Sequence, residues 1–195
     1  IVQYADTLFI HAHSDGVHSD LSIIVEALQK IDNLNFTSIY NKSADALQSK
    51  TTKAENGYLL GDGAKSSVTE YGHKFEIDWE TGQKTGFFID QRENRKIVGN
   101  YAKSKKVLNA FSYTGGFSIY ALDAGANEVH SVDISAKAMA LTDTNVAHSK
   151  KPESHISHTA DVFDFLKTMD EDFDVVILDP PAFAKSKHTT HNAVQ

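Results

Sequence analysis

Lys105-Lys106-Val107-Leu108-Asn109-Ala110-Phe111-Ser112-Tyr113-Thr114-Gly115-Gly116-Phe117-Ser118 decides the fold. Its first half is an apolar run led by lysines, the pattern of a buried strand. Its second half turns through Thr114-Gly115-Gly116 into a helix predicted from Phe117 to about Ala124. A strand that passes through a glycine turn into a helix sets backbone N–H groups at the carboxyl edge of a sheet. Open α/β folds take nucleotide-like ligands there. The glycines are expected to let the backbone approach such a ligand closely, because they carry no Cβ.

Downstream the strand-then-helix rhythm repeats. Glu128 to Asp133 is predicted as a strand and Ser135 to His148 as a helix; His155 to Thr159 is a weaker strand and Val162 to Met169 a short helix. Asp174 to Asp179 is apolar almost throughout, so it is expected to be a strand buried on both faces. Upstream, Leu8 to His13 and Phe36 to Tyr40 read as strands. Between them, Leu21, Ile24, Val25, Leu28 and Ile31 recur at helical spacing behind a Ser19 or Asp20 cap. Asn41 to Gly63 reads mostly as loop, with Tyr58-Leu59-Leu60 as a short strand. Val68 to Tyr71 and Lys74 to Trp79 flank Gly72-His73 as a hairpin. Gln91 to Ala102 is a predicted helix. The first third is thus an α+β module and the remainder an α/β one.

Composition narrows the function classes. The 195 residues are 41% hydrophobic and 23% charged, ordinary for a globular protein. No apolar run is long enough for a membrane helix and no signal peptide is apparent. Both ends read as cut from a longer protein. Cysteine is absent, which removes disulfides, thiolate metal sites and a cysteine nucleophile from these residues and fits a cytoplasmic location. The net charge of −7 gives no global attraction to nucleic acid, so any such contact needs a local basic patch or another domain.

Several acids fall at predicted strand ends. Asp133 follows the glycine turn by one βα unit, where a carboxylate can accept both ribose hydroxyls; the alternative is a helix cap. Asp161 opens a helix and can accept an adenine amino group, with Val162 or Phe163 against the ring, or can serve only as a cap. Asp179-Pro180-Pro181-Ala182-Phe183 fixes a strand tip whose carbonyls can orient a planar base, or forms only a rigid turn. The turn departs from G-x-G-x-x-G, so it suits a ligand with an adenosine and no phosphate, S-adenosyl-L-methionine above all. His11 and His13, alternating on a predicted strand, raise a metal-site reading. Lys103, Lys105 and Lys106 are a solvated turn or an RNA contact.

In order, Gly82 to Arg92, Val107 to Phe117, Ser131 to Ser135 and Asp179 to Phe183 resemble one group, the class I S-adenosylmethionine-dependent 23S rRNA (cytosine-5)-methyltransferases. Those proteins join a PUA domain, an EEHEE domain and a Rossmann-like catalytic domain. The resemblance implies an EEHEE-like α+β domain over residues 1–70 and an incomplete Rossmann-like methyltransferase domain over 71–195. It implies S-adenosylmethionine as cofactor and 23S rRNA as partner, admits a homodimer and involves no membrane. It assigns Lys84, Thr85, Phe87, Asp90, Gln91 and Arg92 to a segment over the cofactor, and Phe111, Ser112, Tyr113, Thr114, Gly115 and Gly116 to its methionine moiety. Asp133, with Ile134 and Ser135, falls to the ribose side, Asp161 and Val162 to adenine, and Asp179 with Pro180 to the target base. The family's PUA domain and catalytic cysteine have no counterpart here, so the fragment alone is expected to be inactive. Other readings are a methyltransferase with another target, a non-catalytic RNA-binding protein with a relic pocket, and a hydrolase using His11 and His13.

Overall fold

The computed structural model describes residues 1–44, 46–47, 54–63 and 66–181. It separates into two compact units, Ile1–Val68 with Glu76–Phe88, and Thr69–Phe75 with the chain from Ile89 onward. The division expected at residue 70 is therefore not a single cut: Glu76–Phe88 returns to the first unit. The reason lies in that unit's own core. Phe87 and Trp79 are buried beside Tyr4 and Phe9, and the Tyr4 hydroxyl donates to Phe87 O at 2.7 Å. The Lys42 ammonium, itself buried, donates to Trp79 O at 2.5 Å and Gly82 O at 2.6 Å.

The first unit holds a four-stranded sheet in the order β1 (Val2–Tyr4), β2 (Thr7–Ile10), β3 (Ser38–Asn41), β4 (Gly57–Leu60). β2 and β3 run parallel and the outer pairs antiparallel. A parallel pair needs a long crossover. Here it contains two helices, α1 (Asp15–Ser19) and α2 (Leu21–Gln29), where the sequence predicted one. Ser14 starts α1 by accepting from Val17 N–H. Leu21 and Leu28 of α2 pack with Leu8, Ile10 and Ile39, and Ile24 and Val25 lie against them, whereas Ile31 falls past the helix end and is exposed. β2 stops at Ile10, so His11 and His13 do not share a strand face. Their rings instead sit 4.4 Å apart in the segment that follows.

A hairpin, β5 (Ser67–Glu70) and β6 (His73–Glu76), carries the chain from one unit to the other and back. Tyr71 and Gly72 turn it with φ of 48° and 87°, the double left-handed geometry that tight hairpins favour. In the second unit α3 (Arg92–Ala102) precedes β7 (Lys106–Ala110), α4 (Gly116–Asp123), β8 (Glu128–Asp133), α5 (Ala136–Val146), β9 (His155–Thr159), α6 (Val162–Thr168) and β10 (Val175–Leu178). The sheet order is β10-β7-β8-β9, all parallel. Val162 of α6 packs on Leu108, Ala110 and Val132 of one sheet face. One expectation fails at β10. Val176 and Leu178 are exposed, because β10 pairs on one side only, with β7, and among the described residues nothing covers the face that carries them.

Candidate functional site

The strand register assembles the site. Ala110 of β7 lies opposite both Leu178 of β10 and Val132 of β8, and Asp133 lies opposite Thr159 of β9. One residue further along each strand, Asp179, Phe111 and Asp133 form a row at the carboxyl edge, and Asp161 follows β9 by two. Three acids from strands far apart in sequence thus line one sheet edge, the position at which doubly wound folds bind ligands.

The loop between β7 and α4 is held in a demanding conformation. Phe111, Tyr113 and Gly115 have φ of 58°, 48° and 77°. Two bulky non-glycine residues at positive φ cost free energy that their surroundings must supply. The surroundings are identifiable. Ser112 N–H donates to Val132 O at 3.0 Å and Tyr113 N–H to Asp133 Oδ2 at 2.9 Å. From α5, Thr142 Oγ1 donates to Tyr113 O at 2.9 Å and Asn145 Nδ2 to Thr114 O at 3.0 Å, both side chains buried. The sequence singled out neither Thr142 nor Asn145; each looks like an ordinary polar position on a helix until the fold brings it to the loop.

The glycine pair is explained differently from the sequence reading. A Cβ at Gly115 would lie 2.7 Å from Thr142 Cγ2, in addition to the positive φ, and one at Gly116 would lie 3.1 Å from Arg95 Cδ. Internal packing accounts for Gly115 before any ligand is considered, and Arg95 crowds Gly116. Arg95 is buried and bidentate to Glu70, at 2.8 Å through each oxygen, and the buried Tyr120 hydroxyl donates to Glu70 Oε1 at 2.9 Å. This cluster anchors α3 and α4 beneath the loop. No side chain caps the first turn of α4.

Asp133 uses one oxygen on Tyr113 N–H and the other, Oδ1, on Ser135 N–H at 2.9 Å. An ionised carboxylate has about four acceptor sites, so about two remain. Ser135 is the N-cap of α5, accepting from Ala138 N–H at 3.2 Å. Asp161 caps α6 through Oδ1 from Phe163 and Asp164 N–H groups, which leaves its second oxygen without a cap bond. The Val162 side chain is core, so the apolar surface beside Asp161 is Phe163, 50% exposed and edge-on to Phe111 at 6.0 Å. Ile134, next to Asp133, is 69% exposed. Asp179 and Pro180 are exposed at the end of β10; Ala182 and Phe183 lie outside the described residues. Acids with two open apolar side chains fit an adenosine bearing no phosphate.

The segment predicted to lie over the cofactor is split by the division between units. Lys84, Thr85 and Phe87 belong to the first, where Thr85 Oγ1 meets the Tyr4 hydroxyl at 3.0 Å and Lys84 Nζ lies 5.1 Å from the Phe88 ring centre. Asp90, Gln91 and Arg92 belong to the second. Gln91 is the N-cap of α3 and accepts from Asn94, and Arg92 lies on the Tyr71 ring at 5.5 Å.

Two further clusters were invisible in the sequence. Asn109 donates to Ser118 Oγ at 2.9 Å, Ser118 meets Ser131 at 2.6 Å and Ser131 meets His155 Nε2 at 2.7 Å. Burial pushes His155 down to about 4, so it is neutral near pH 7. At the amino ends of the strands, remote from the acid row, ligand atoms of Glu128, His130 and Glu171 come within 4.8 Å of one another. Lys106 Nζ lies 2.8 Å from Glu128 and 2.6 Å from Glu171. Hydrogen bonds to the two glutamates hold the ammonium above its usual pKa and the carboxylates below theirs. The cation this cluster calls for is therefore already a lysine. Lys105 likewise pairs with Asp174 at 3.5 Å, so two of the three lysines weighed for RNA contact serve the fold.

Residues 48–193 match the family described as S-adenosylmethionine-dependent methyltransferase. The chain is 38% identical over 195 aligned residues to "Ribosomal RNA large subunit methyltransferase I" of Tolumonas auensis, covering 96% of this chain and 49% of that protein. It is 40% identical to the protein of the same description from Aeromonas salmonicida, covering 96% and 48%. The chain thus spans about half the length of the curated relatives it matches. Among solved structures it is similar to SMU.776 complexed with SAH, with a TM-score of 0.79, 29% identity, and coverage of 94% of this chain and 48% of that one.

Proposed function

The chain belongs to the S-adenosylmethionine-dependent methyltransferase family, and from that premise we propose that it holds the cofactor along the carboxyl edge of β7 to β10, as part of a large-subunit rRNA methyltransferase acting on carbon 5 of a cytosine in 23S rRNA. The observation that carries the cofactor half is Asp133, whose carboxylate fixes the loop through Tyr113 N–H and the next helix through Ser135 N–H while keeping acceptor sites open. When bound, the cofactor supplies a methyl group on a sulfonium.

The chain's own residues do the rest. Asp133 accepts the ribose hydroxyls. Ile134 and Phe163 offer apolar surface to adenine, and Asp161 accepts its amino group. The backbone from Phe111 to Gly116 lies against the methionine part, and Asp90, Gln91 and Arg92 of the same unit cover it. Asp179 and Pro180 orient the target base. The strand and helix order of the first unit, β1-β2-α1-α2-β3-β4, supports reading residues 1–70 as an EEHEE-like domain. Carbon 5 of cytosine is a poor nucleophile until a thiolate adds to carbon 6. These residues hold no cysteine, so this reading requires one from the rest of the protein. The name shared by the relatives supports the rRNA substrate, and a cytoplasmic location is part of the same proposal. Among the described residues no helix is long and apolar enough to cross a membrane.

Calorimetric titration with S-adenosylhomocysteine, of the chain and of Asp133→Ala, tests the cofactor site. Saturable binding that the variant loses is expected. A folded chain that does not bind, or a variant that binds as well as its parent, would sink the reading.

A further inference from the structure

The run Arg92 to Lys106 carries six basic residues and one acidic, in a chain with 19 basic and 26 acidic residues overall. The structure sorts them. Arg95 is buried against Glu70, and Lys105 and Lys106 are ion-paired. Arg92, which pairs with Glu93 at 3.7 Å, Lys96 and Lys103 are exposed along α3 and its end. Tyr71 of the hairpin stands beside this face. Lys96 Nζ lies 4.9 Å from its ring centre, Arg92 lies on the same ring, and its hydroxyl donates to Glu93 at 2.5 Å. Beside Lys96 on the same helix, Ile97 is 51% exposed, and one turn on Tyr101 is 68% exposed.

On this eleven-residue helix, roughly 16 Å long, Arg92 and Lys96 lie by the Tyr71 ring at one flank of the exposed face, Tyr101 lies at the other flank, and Lys103 follows the helix end. Ammonium groups attract phosphates, aromatic faces stack on bases of any sequence, and single-stranded nucleic acid presents both together. The face is locally basic, so a symmetric contact of this face with itself in a second copy would oppose like charges, whereas a polyanion meets attraction. We propose that the exposed face of α3 with Tyr71 is a contact surface for single-stranded RNA, with Tyr101 as a stacking platform and Lys96 and Lys103 on the phosphates. This rests on the RNA-substrate reading above and adds where that RNA lies.

The test is fluorescence anisotropy of a short, labelled, uridine-rich oligoribonucleotide titrated with the chain at several salt concentrations. Tyr101→Ala is expected to weaken binding on the order of tenfold. Lys96→Gln is expected to weaken it a few-fold and to flatten the slope of log affinity against log salt by about 0.7, one phosphate contact on a single strand. Both variants are expected to keep the parent's thermal transition and its affinity for S-adenosylhomocysteine. RNA binding unchanged in both variants overturns the proposal, as does an absence of RNA binding by a parent chain that binds S-adenosylhomocysteine. A concentration-dependent dimer that Tyr101→Ala abolishes also overturns it, assigning the face to a second copy. A parent that binds RNA with the expected variant losses, yet no S-adenosylhomocysteine, supports the surface and removes the cofactor reading alone.

Discussion

Gly115→Ala isolates the energetics of the loop. The substitution meets two separate costs. An L-residue at φ of 77° costs about 1–2 kcal/mol. The new Cβ would also lie 2.7 Å from Thr142 Cγ2, with Thr142 Cβ and Oγ1 next at 3.3 Å. Overpacking of that kind costs about 1–3 kcal/mol. The total is roughly 2–5 kcal/mol of stability. Thr142→Ser removes the clashing methyl and keeps the hydroxyl that donates to Tyr113 O, so alone it loses about 0.8 kcal/mol. In the double variant the 2.7 Å clash with Cγ2 is removed and the backbone cost stays. Urea unfolding of the four proteins should therefore give a coupling of about 1–3 kcal/mol between the two positions. S-adenosylhomocysteine affinity should fall in Gly115→Ala and recover in part in the double variant. Additivity within about 0.5 kcal/mol would refute the packing explanation of Gly115.

Asp133→Asn leaves one acceptor oxygen for two backbone N–H groups and the ribose; loss of charge-assisted bonds of about 1.5–3 kcal/mol should weaken S-adenosylhomocysteine by about tenfold or more in calorimetry. Arg95→Ala leaves Glu70 buried without its bidentate partner and should cost about 3–5 kcal/mol in urea unfolding; a change under about 1 kcal/mol would show the pair to be dispensable. His155 sits at about 4 when folded, against about 6.5 in an unfolded chain, so between those values the unfolded state binds the extra proton. Its contribution is whole above about pH 6.5 and is lost as pH falls toward 4, about 3 kcal/mol at most. His155→Gln should therefore show a shallower loss of stability from pH 7 to pH 5 than the parent, and an equal loss would contradict a buried neutral imidazole.

The catalytic-domain pattern was legible because its signals are local. Apolar runs at Val107, Val129 and Val175 and the helical spans between them fix a parallel sheet without reference to distant residues. Acids at strand ends were likewise visible, since strand ends can be read from the apolar pattern. What escaped was long-range. Glu70 and Arg95 are 25 residues apart and Asn145 and Thr114 are 31 apart, and nothing in either neighbourhood announces the partner. The His11–His13 strand failed because alternation persists two or three residues past the last ladder bond of β2. The burial of β10 was overestimated for a related reason: composition tells how apolar a strand is, not how many neighbours it has.

The strand order has a kinetic consequence. β7 lies inside the sheet, yet one of its neighbours, β10, is made only after β8 and β9, and the Lys106 N–H finds its Asp174 acceptor across 68 residues. At about 5–20 residues per second, synthesis leaves β7 as an edge strand for roughly 3–14 s. During that interval Val107 and Leu108, fully buried once β10 has paired, border an open ladder able to pair with another chain. The hazard at β7 is therefore confined to synthesis, before β10 arrives, and a chaperone that shields nascent strands during that interval would raise the yield.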